Sequence, residues 1–269
     1  MLSVRASSRL DGFGMTVRLA RCDSDGYPPP AAVRLVSRGL VYALRTVDSL
    51  RPIAAAEPHT RLLTAAARES LRPLGLRQKG RSRTWLDDRG WWAGVVEFQP
   101  SSWSKGSYLN VGAMWLWREG DHDIRFDLGY RVDGVGGFVE YQSDEQFAPE
   151  AERLAATARD EIVRLRAMLP DLDSAISVLS ERSTKHGGWP SYNLGVALGL
   201  GGRRSEAALR LRDLVADADD PGWWVDAVAR AHELAELLEH DPHAFDTDMQ
   251  RAIQAYRDAL KLPPRTDLP

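Results

Sequence analysis

Cysteine is almost missing from the 269-residue chain, which has Cys22 alone. One thiol rules out an intramolecular disulfide framework and any zinc site built on clustered cysteines. Net charge is also nearly missing. Lys and Arg total 35 against 38 for Asp and Glu, a formal balance of -3. That leaves neither the basic excess of a general nucleic-acid binder nor an acidic tail. No apolar run reaches the length of a membrane span. The start, Met1 to Gly14, lacks the continuous apolar stretch of a secretory signal. These absences point to a cytoplasmic protein without a membrane span. Lysine is scarce too, present only at positions 79, 105, 185 and 261. An Arg-for-Lys bias with abundant Ala marks a GC-rich bacterial coding sequence, and Met15 is an alternative start.

Tryptophan, by contrast, is plentiful: six of the nine indoles fall between Trp85 and Trp117. The first 58 residues read as a linker-like or poorly ordered extension, with a stiff Tyr27-Pro28-Pro29-Pro30 segment. Val33, Val36, Leu40, Leu44 and Val47 then recur at helical spacing. The arginines of that stretch, Arg34 to Arg45, suit either a short packed helix or one lying on an anionic surface.

From Thr60 the pattern sharpens. Thr60 is placed to cap a helix through Leu62, Leu63, Ala66, Ala67 and Leu71, stopped by Pro73 and Gly75. A basic turn, Arg77 to Arg83, leads into strands. Trp92, Val96 and Phe98 alternate with Ala93, Val95, Glu97 and Gln99. Tyr108 to Trp117 is apolar at Leu109, Val111, Ala113, Trp115 and Trp117. Ile124, Phe126, Leu128 and Tyr130 alternate with polar neighbours, and Phe138 to Gln142 closes the series. Short turns between consecutive strands predict an antiparallel meander of four or five strands. Beyond Asp144 the apolar period becomes helical. Helices are expected at Leu154–Leu169, Leu172–Leu179, Ser191–Leu200, Ser205–Ala216, Trp223–Leu238 and Asp246–Leu260. The fold class is therefore α+β: an N-terminal helix on an antiparallel sheet, followed by an all-helical C-terminal half. The corresponding segments are 1–58, 59–182 and 183–269.

Two stretches resemble known families. Leu74-Gly75-Leu76, Lys79-Gly80-Arg81 and Trp85 lead to Val96-Glu97-Phe98-Gln99, Ser101-Ser102-Trp103 and Asn110-Val111-Gly112. With them, Leu62 to Leu179 resembles the bacterial domain of unknown function 4304. That resemblance implies a fold neighbourhood and little chemistry. Leu194-Gly195, Leu198, Gly202, Ala207, Leu211 and Leu214 resemble one tetratricopeptide-type helical hairpin. Small residues at Gly195 and Ala207 let two helices approach closely. One unit is too few for a solenoid, so the hairpin is expected to pack on neighbours.

Candidate binding residues gather around one strand connection: Gln99, Ser101, Ser102, Trp103, Tyr108 and Asn110. They combine amide, hydroxyl and aromatic groups that recognise a partner or polar ligand. Alternatively, Gln99 and Asn110 satisfy backbone groups while Trp103 packs over a helix. Trp91, Trp92, Trp115 and Trp117 suit core or interface packing, or a stacking cage. The basic turn is either a phosphate contact or a solvated loop. His232 and Glu236 share a helix face, but the second His of a zinc-protease helix is replaced by Glu236. No catalytic residues, metal ligands or cofactor are assigned. The expected function is non-catalytic protein binding or regulation, of which toxin neutralisation is one form. The alternative is a hydrolytic or nucleotide-handling enzyme with an unidentified carboxylate site. The oligomeric state stays open, and no specific nucleic-acid partner is expected. Limited proteolysis is expected to cut first before Pro58, as linker-like composition dictates; first cleavage inside Trp91–Trp117 contradicts the core assigned to that stretch.

Overall fold

The sheet is built around its two longest strands, β3 (Trp92–Pro100) and β4 (Gly106–Trp115). The computed structural model describes residues 57–119, 123–132, 137–183, 188–218, 222–265 and 268–269. They all belong to the unit Ile53–Pro269. The expectations for the N-terminal extension, including the Val33–Val47 pattern and Arg34 to Arg45, lie outside the described residues. So does the break at 134–136.

An N-terminal helix, α1 (Pro58–Leu71), precedes the sheet. It continues into a single 3-10 turn, Arg72–Leu74, and Gly75 at φ 88° ends it. Thr60 does not cap α1. Pro58 starts the helix one turn earlier, and Glu57 holds the cap position without a side-chain bond. Pro fits there because its fixed φ suits the first helical turn and its missing N–H was unpartnered anyway. The Thr60 hydroxyl instead accepts a hydrogen bond from Arg83 Nη2.

The strands run antiparallel in the order β1 (Arg77–Gln78), β2 (Thr84–Asp88), β3, β4, β5 (Leu128–Arg131). β6 (Phe138–Glu140) pairs with β4 at Gly106 to Tyr108, whereas β5 pairs at Asn110 to Ala113. The two short strands therefore lie end to end along one side of β4. The meander thus has one more strand than the alternation predicts at its upper count, because the two-residue β1 carries no periodic signal.

The strand expected from Ile124 is shortened to Leu128–Arg131. Asp127 ends the pairing: its N–H donates to Ala113 O, and its carboxylate accepts the Trp115 N–H at 2.9 Å. Phe126 then turns onto Gly112, where a Cβ would meet Leu128 O at 2.4 Å and Phe126 Cδ1 at 3.0 Å. Only glycine fits that close approach.

Helix α2 (Asp144–Met168) covers one face of the sheet. The Ser143 hydroxyl accepts the Gln146 N–H at 3.2 Å, a cap that starts α2 ten residues before its first expected apolar position. A Cβ on Gly94 would meet Ile162 of α2 at 3.0 Å. Trp92, Val96, Phe98, Leu109, Val111 and Trp115 are buried on that same face.

The helical half comprises α3 (Leu172–Ser183), α4 (Trp189–Leu200), α5 (Arg204–Ala216), α6 (Val225–His240) and α7 (Pro242–Ala259). Helices α4 and α5 form a hairpin whose close approach depends on Gly195: a Cβ there would stand 2.5 Å from Leu211 Cδ2. α7 starts four residues before its expected position, because Asp241 caps it and Pro242 occupies its first turn. The sheet and the helices share one apolar core. At the junction the Trp91, Trp115 and Trp117 rings lie nearly parallel, with centroids 5.2–5.8 Å apart. Trp117 Nε1 donates to Asn193 Oδ1 of α4 at 3.1 Å, and the Arg118 guanidinium sits 3.2 Å over the Trp189 ring.

Among the described residues, α7 covers the second face of the sheet at its Asp88 end. There Tyr256 of α7 places its hydroxyl 3.7 Å from Met114 Sδ and donates to Asp123 O at 2.6 Å. Its neighbour Arg257 is fully buried. It donates to both Asp88 carboxylate oxygens at 2.6 and 2.8 Å, to Gly90 O at 2.8 Å and to Pro263 O at 2.6 Å. Replacing Arg257 by Ala strands a carboxylate and two carbonyls, so it is expected to cost about 3–5 kcal/mol in urea unfolding. Arg212, which bridges Glu236 and Glu239 with all three side chains solvated, is expected to cost under about 1 kcal/mol on the same replacement. Equal losses contradict the clamp.

Candidate functional site

The end of the second face away from α7 is polar. Cross-strand register sets Glu97 opposite Asn110 and Gln99 opposite Tyr108, and Arg131 of β5 falls opposite Asn110. Period-two geometry points these five side chains to one side. Asn110 is fully buried, and its amide donates to Glu97 Oε2 at 2.8 Å and to Gln99 Oε1 at 3.0 Å. Its Oδ1 accepts from Arg131 Nε at 3.4 Å. Arg131 Nη2 also donates to Gln99 Oε1 at 2.8 Å, and its guanidinium lies 4.1 Å from the centroid of the Tyr108 ring. Tyr108 in turn contacts Phe138 of β6, with centroids 4.6 Å apart. A guanidinium over an aromatic ring, with two of its nitrogens bonded to neighbouring side chains, is held in a defined orientation.

The hairpin tip forms a second group. Ser101 Oγ accepts the N–H groups of Trp103 at 3.2 Å and Ser104 at 3.3 Å, a local turn that fixes the loop. Trp103 is 93% exposed. An indole held almost entirely in water contrasts with Trp85, Trp92, Trp115 and Trp117, all of which are buried. The six residues singled out in the sequence therefore separate. Gln99, Tyr108 and Asn110 share the sheet face, while Ser101, Ser102 and Trp103 sit at the tip beside the start of α1. Gln99 and Asn110 bond side chain to side chain rather than to backbone, and Trp103 does not pack over a helix.

Three neighbours of these groups escaped the sequence reading. Glu97 and Arg131 complete the sheet-face network. His59, on the first turn of α1, is 7% exposed and receives Arg83 Nη2 at its Nε2, 3.1 Å away. Arg83 is the one member of the basic turn that points inward, while Arg77, Lys79 and Arg81 are exposed. His59 could have been suspected only from its position directly after Pro58, at a helix start. The His232–Glu236 pattern carries no site: Glu236 pairs with Arg212 at 2.9 Å, and His240 stands 3.4 Å from its other oxygen. Among the described residues, no three His, Cys, Asp or Glu side chains gather around a point that would hold a metal. Within them, no helix is long and apolar enough to cross a membrane.

Comparison of the chain with protein-family models, curated proteins and solved structures returned no match.

Burial, reinforced by the charge of Arg83, lowers the pKa of His59 below its ordinary 6.5. Lys105 acts in the same direction and Glu57 opposes them. The folded ring is therefore neutral where the unfolded ring begins to protonate. As pH falls below about 6.5 the unfolded chain binds a proton that the folded chain refuses, so this residue makes stability drop until pH passes the lower folded value. His59→Gln is expected to flatten the decline in urea stability between about pH 7 and pH 5 relative to wild type. Parallel declines in the two proteins contradict a neutral, buried His59.

Proposed function

We propose that this is a non-catalytic binding protein of the bacterial cytoplasm that uses the β3–β4 hairpin to hold a protein partner. The observation that carries the reading is Trp103: it is 93% exposed on a loop fixed by Ser101. Leaving a large apolar ring in water forfeits about 2 kcal/mol of burial, which a partner pocket recovers. The Arg131–Tyr108 stack and the Glu97–Asn110–Gln99 network at the root of the same hairpin supply fixed polar contacts for orientation. A regulatory or toxin-neutralising role fits such a surface. The likeness of Leu62–Leu179 to domain of unknown function 4304 is part of the same reading. It is supported by the hairpin formed from its Phe98-Gln99 and Asn110-Val111-Gly112 segments, and by the glycine requirement at position 112. The tetratricopeptide likeness of α4 and α5 is supported by the Gly195–Leu211 approach.

Trp103→Ala tests the reading through two measurements on one variant. Its melting temperature is expected to stay within about 2 °C of wild type, because no buried contact is lost. Capture of a defined partner from extract of the native host is expected to fall at least about tenfold, as removal of an aromatic anchor implies. Unchanged capture overturns the role of Trp103, and a stability loss of about 3–5 kcal/mol makes the indole a structural one instead.

A further inference from the structure

A cavity of about 370 Å³ lies where the first turn of α4 meets the last turns of α5. Ser191 of α4 lines it, with Arg210, Asp213, Leu214 and Asp217 of α5. Trp224, from the 3-10 turn Gly222–Trp224, completes the wall. The hairpin dictates this grouping, because antiparallel helices set the start of one beside the end of the other. On α5, Arg210, Asp213 and Asp217 follow at steps of three and four residues, so they share one face over about 10 Å of helix. The Trp224 indole rests on Gly188, where a Cβ would stand 3.2 Å from its Cγ.

The polar groups of this cavity are unmatched. Ser191 is only 8% exposed, and its hydroxyl has no hydrogen-bond partner among the described residues. That hydroxyl is nevertheless not among the polar atoms sealed in the interior, and the residue borders the cavity. Arg210, Asp213 and Asp217 form no ion pair among the described residues. Elsewhere in the chain, five arginines pair with a carboxylate three residues away, at Glu150, Glu161, Glu206, Glu233 and Asp248. Arg210 and Asp213 have the same spacing and do not close. A guanidinium and two carboxylates are thus presented along one cavity wall without neutralising one another, beside the apolar surface of Leu214 and Trp224. Few polar groups on an apolar lining, in a space of a few hundred Å³, are the make-up of a small-molecule site.

We propose that this cavity binds a free basic amino acid, arginine or lysine. The side-chain cation of the ligand lies between the Asp213 and Asp217 carboxylates and against the Trp224 ring, and the Ser191 hydroxyl accepts one of its N–H groups. The ligand carboxylate meets the Arg210 guanidinium, and its methylenes run along Leu214. Two carboxylates against one guanidinium select a ligand of net positive charge. The unpaired arginine selects one that also carries an anion. A simple amine meets only the first condition, and an acidic amino acid only the second. The cavity shares no residue with the Trp103 surface, so the site stands independently of the protein-docking reading.

The test is a titration of the full chain with L-arginine at constant ionic strength, followed through the indole N–H resonances in NMR. The Trp224 signal is identified among the nine tryptophans by its absence from Trp224→Phe. A saturable shift of that signal with Kd on the order of 1 mM is expected. Asp217→Asn, on an exposed side chain, is expected to weaken binding about fivefold or more. Arg210→Gln is expected to weaken L-arginine by about the same factor without weakening agmatine, which keeps the guanidinium and lacks the carboxylate. L-glutamate is expected to leave the signal in place. The proposal is overturned if L-arginine produces no saturable shift, if Asp217→Asn titrates like wild type, or if L-glutamate saturates as L-arginine does. It is equally overturned if Arg210→Gln binds L-arginine as well as wild type, which would make the cavity a site for simple cations.

Discussion

One buried guanidinium ties the C-terminal helix to the sheet. Arg257 reaches from α7 to the turn after β2 and to the tail at Pro263, and it satisfies the carboxylate and carbonyls there at once. A charge can be fully buried only when such partners surround it. The consequence is positional. Fixing α7 at the Asp88 end of the second sheet face places Tyr256 over Met114, and among the described residues no helix crosses the Glu97–Asn110 end. Among the described residues, the sheet is covered on one side by α2 and on the other by α7 at the Asp88 end, with Phe126 against Gly112. The polar cluster occupies the part of the face that no helix requires for its own burial.

Much of this was legible along the chain, because the apolar period reports burial directly. The alternation in β3 and the apolar positions of β4 fixed which residues face α2, and the change to a 3.6 period after Asp144 marked the helical half. What failed was decided by partners distant in sequence. Ile124 to Asp127 alternates like a strand, yet the Asp127 carboxylate captures the Trp115 N–H and ends the ladder. Thr60 has the chemistry of a cap, but Pro58 starts the helix first and Arg83 claims the hydroxyl.

The candidate binding residues show the same division. Gln99, Tyr108 and Asn110 could be grouped because a short hairpin brings them together by register alone. Arg131 joins them from 21 residues beyond Asn110, and His59 meets Arg83 across 24 residues, so neither pairing leaves a local mark. Arg83 also sits in a run of arginines whose other members are solvated, which hides it by composition. The exposure of Trp103 was undecidable from sequence for a related reason. A tryptophan in a polar loop reads identically whether a helix lies over it or not, and only the path of the Ser101 turn determines that nothing does.

The borders of the sheet narrow the ways in which another chain can join it. On one border β1 is two residues long, and on the other β5 and β6 are short pieces placed end to end beside β4. Gly129, at φ 82°, bends the first of these pieces. A foreign strand needs a long, straight row of free N–H and C=O groups to zip against, and fragmented borders of this kind do not offer one. Long ladder extension by a foreign strand is thus disfavoured at the described borders of the sheet.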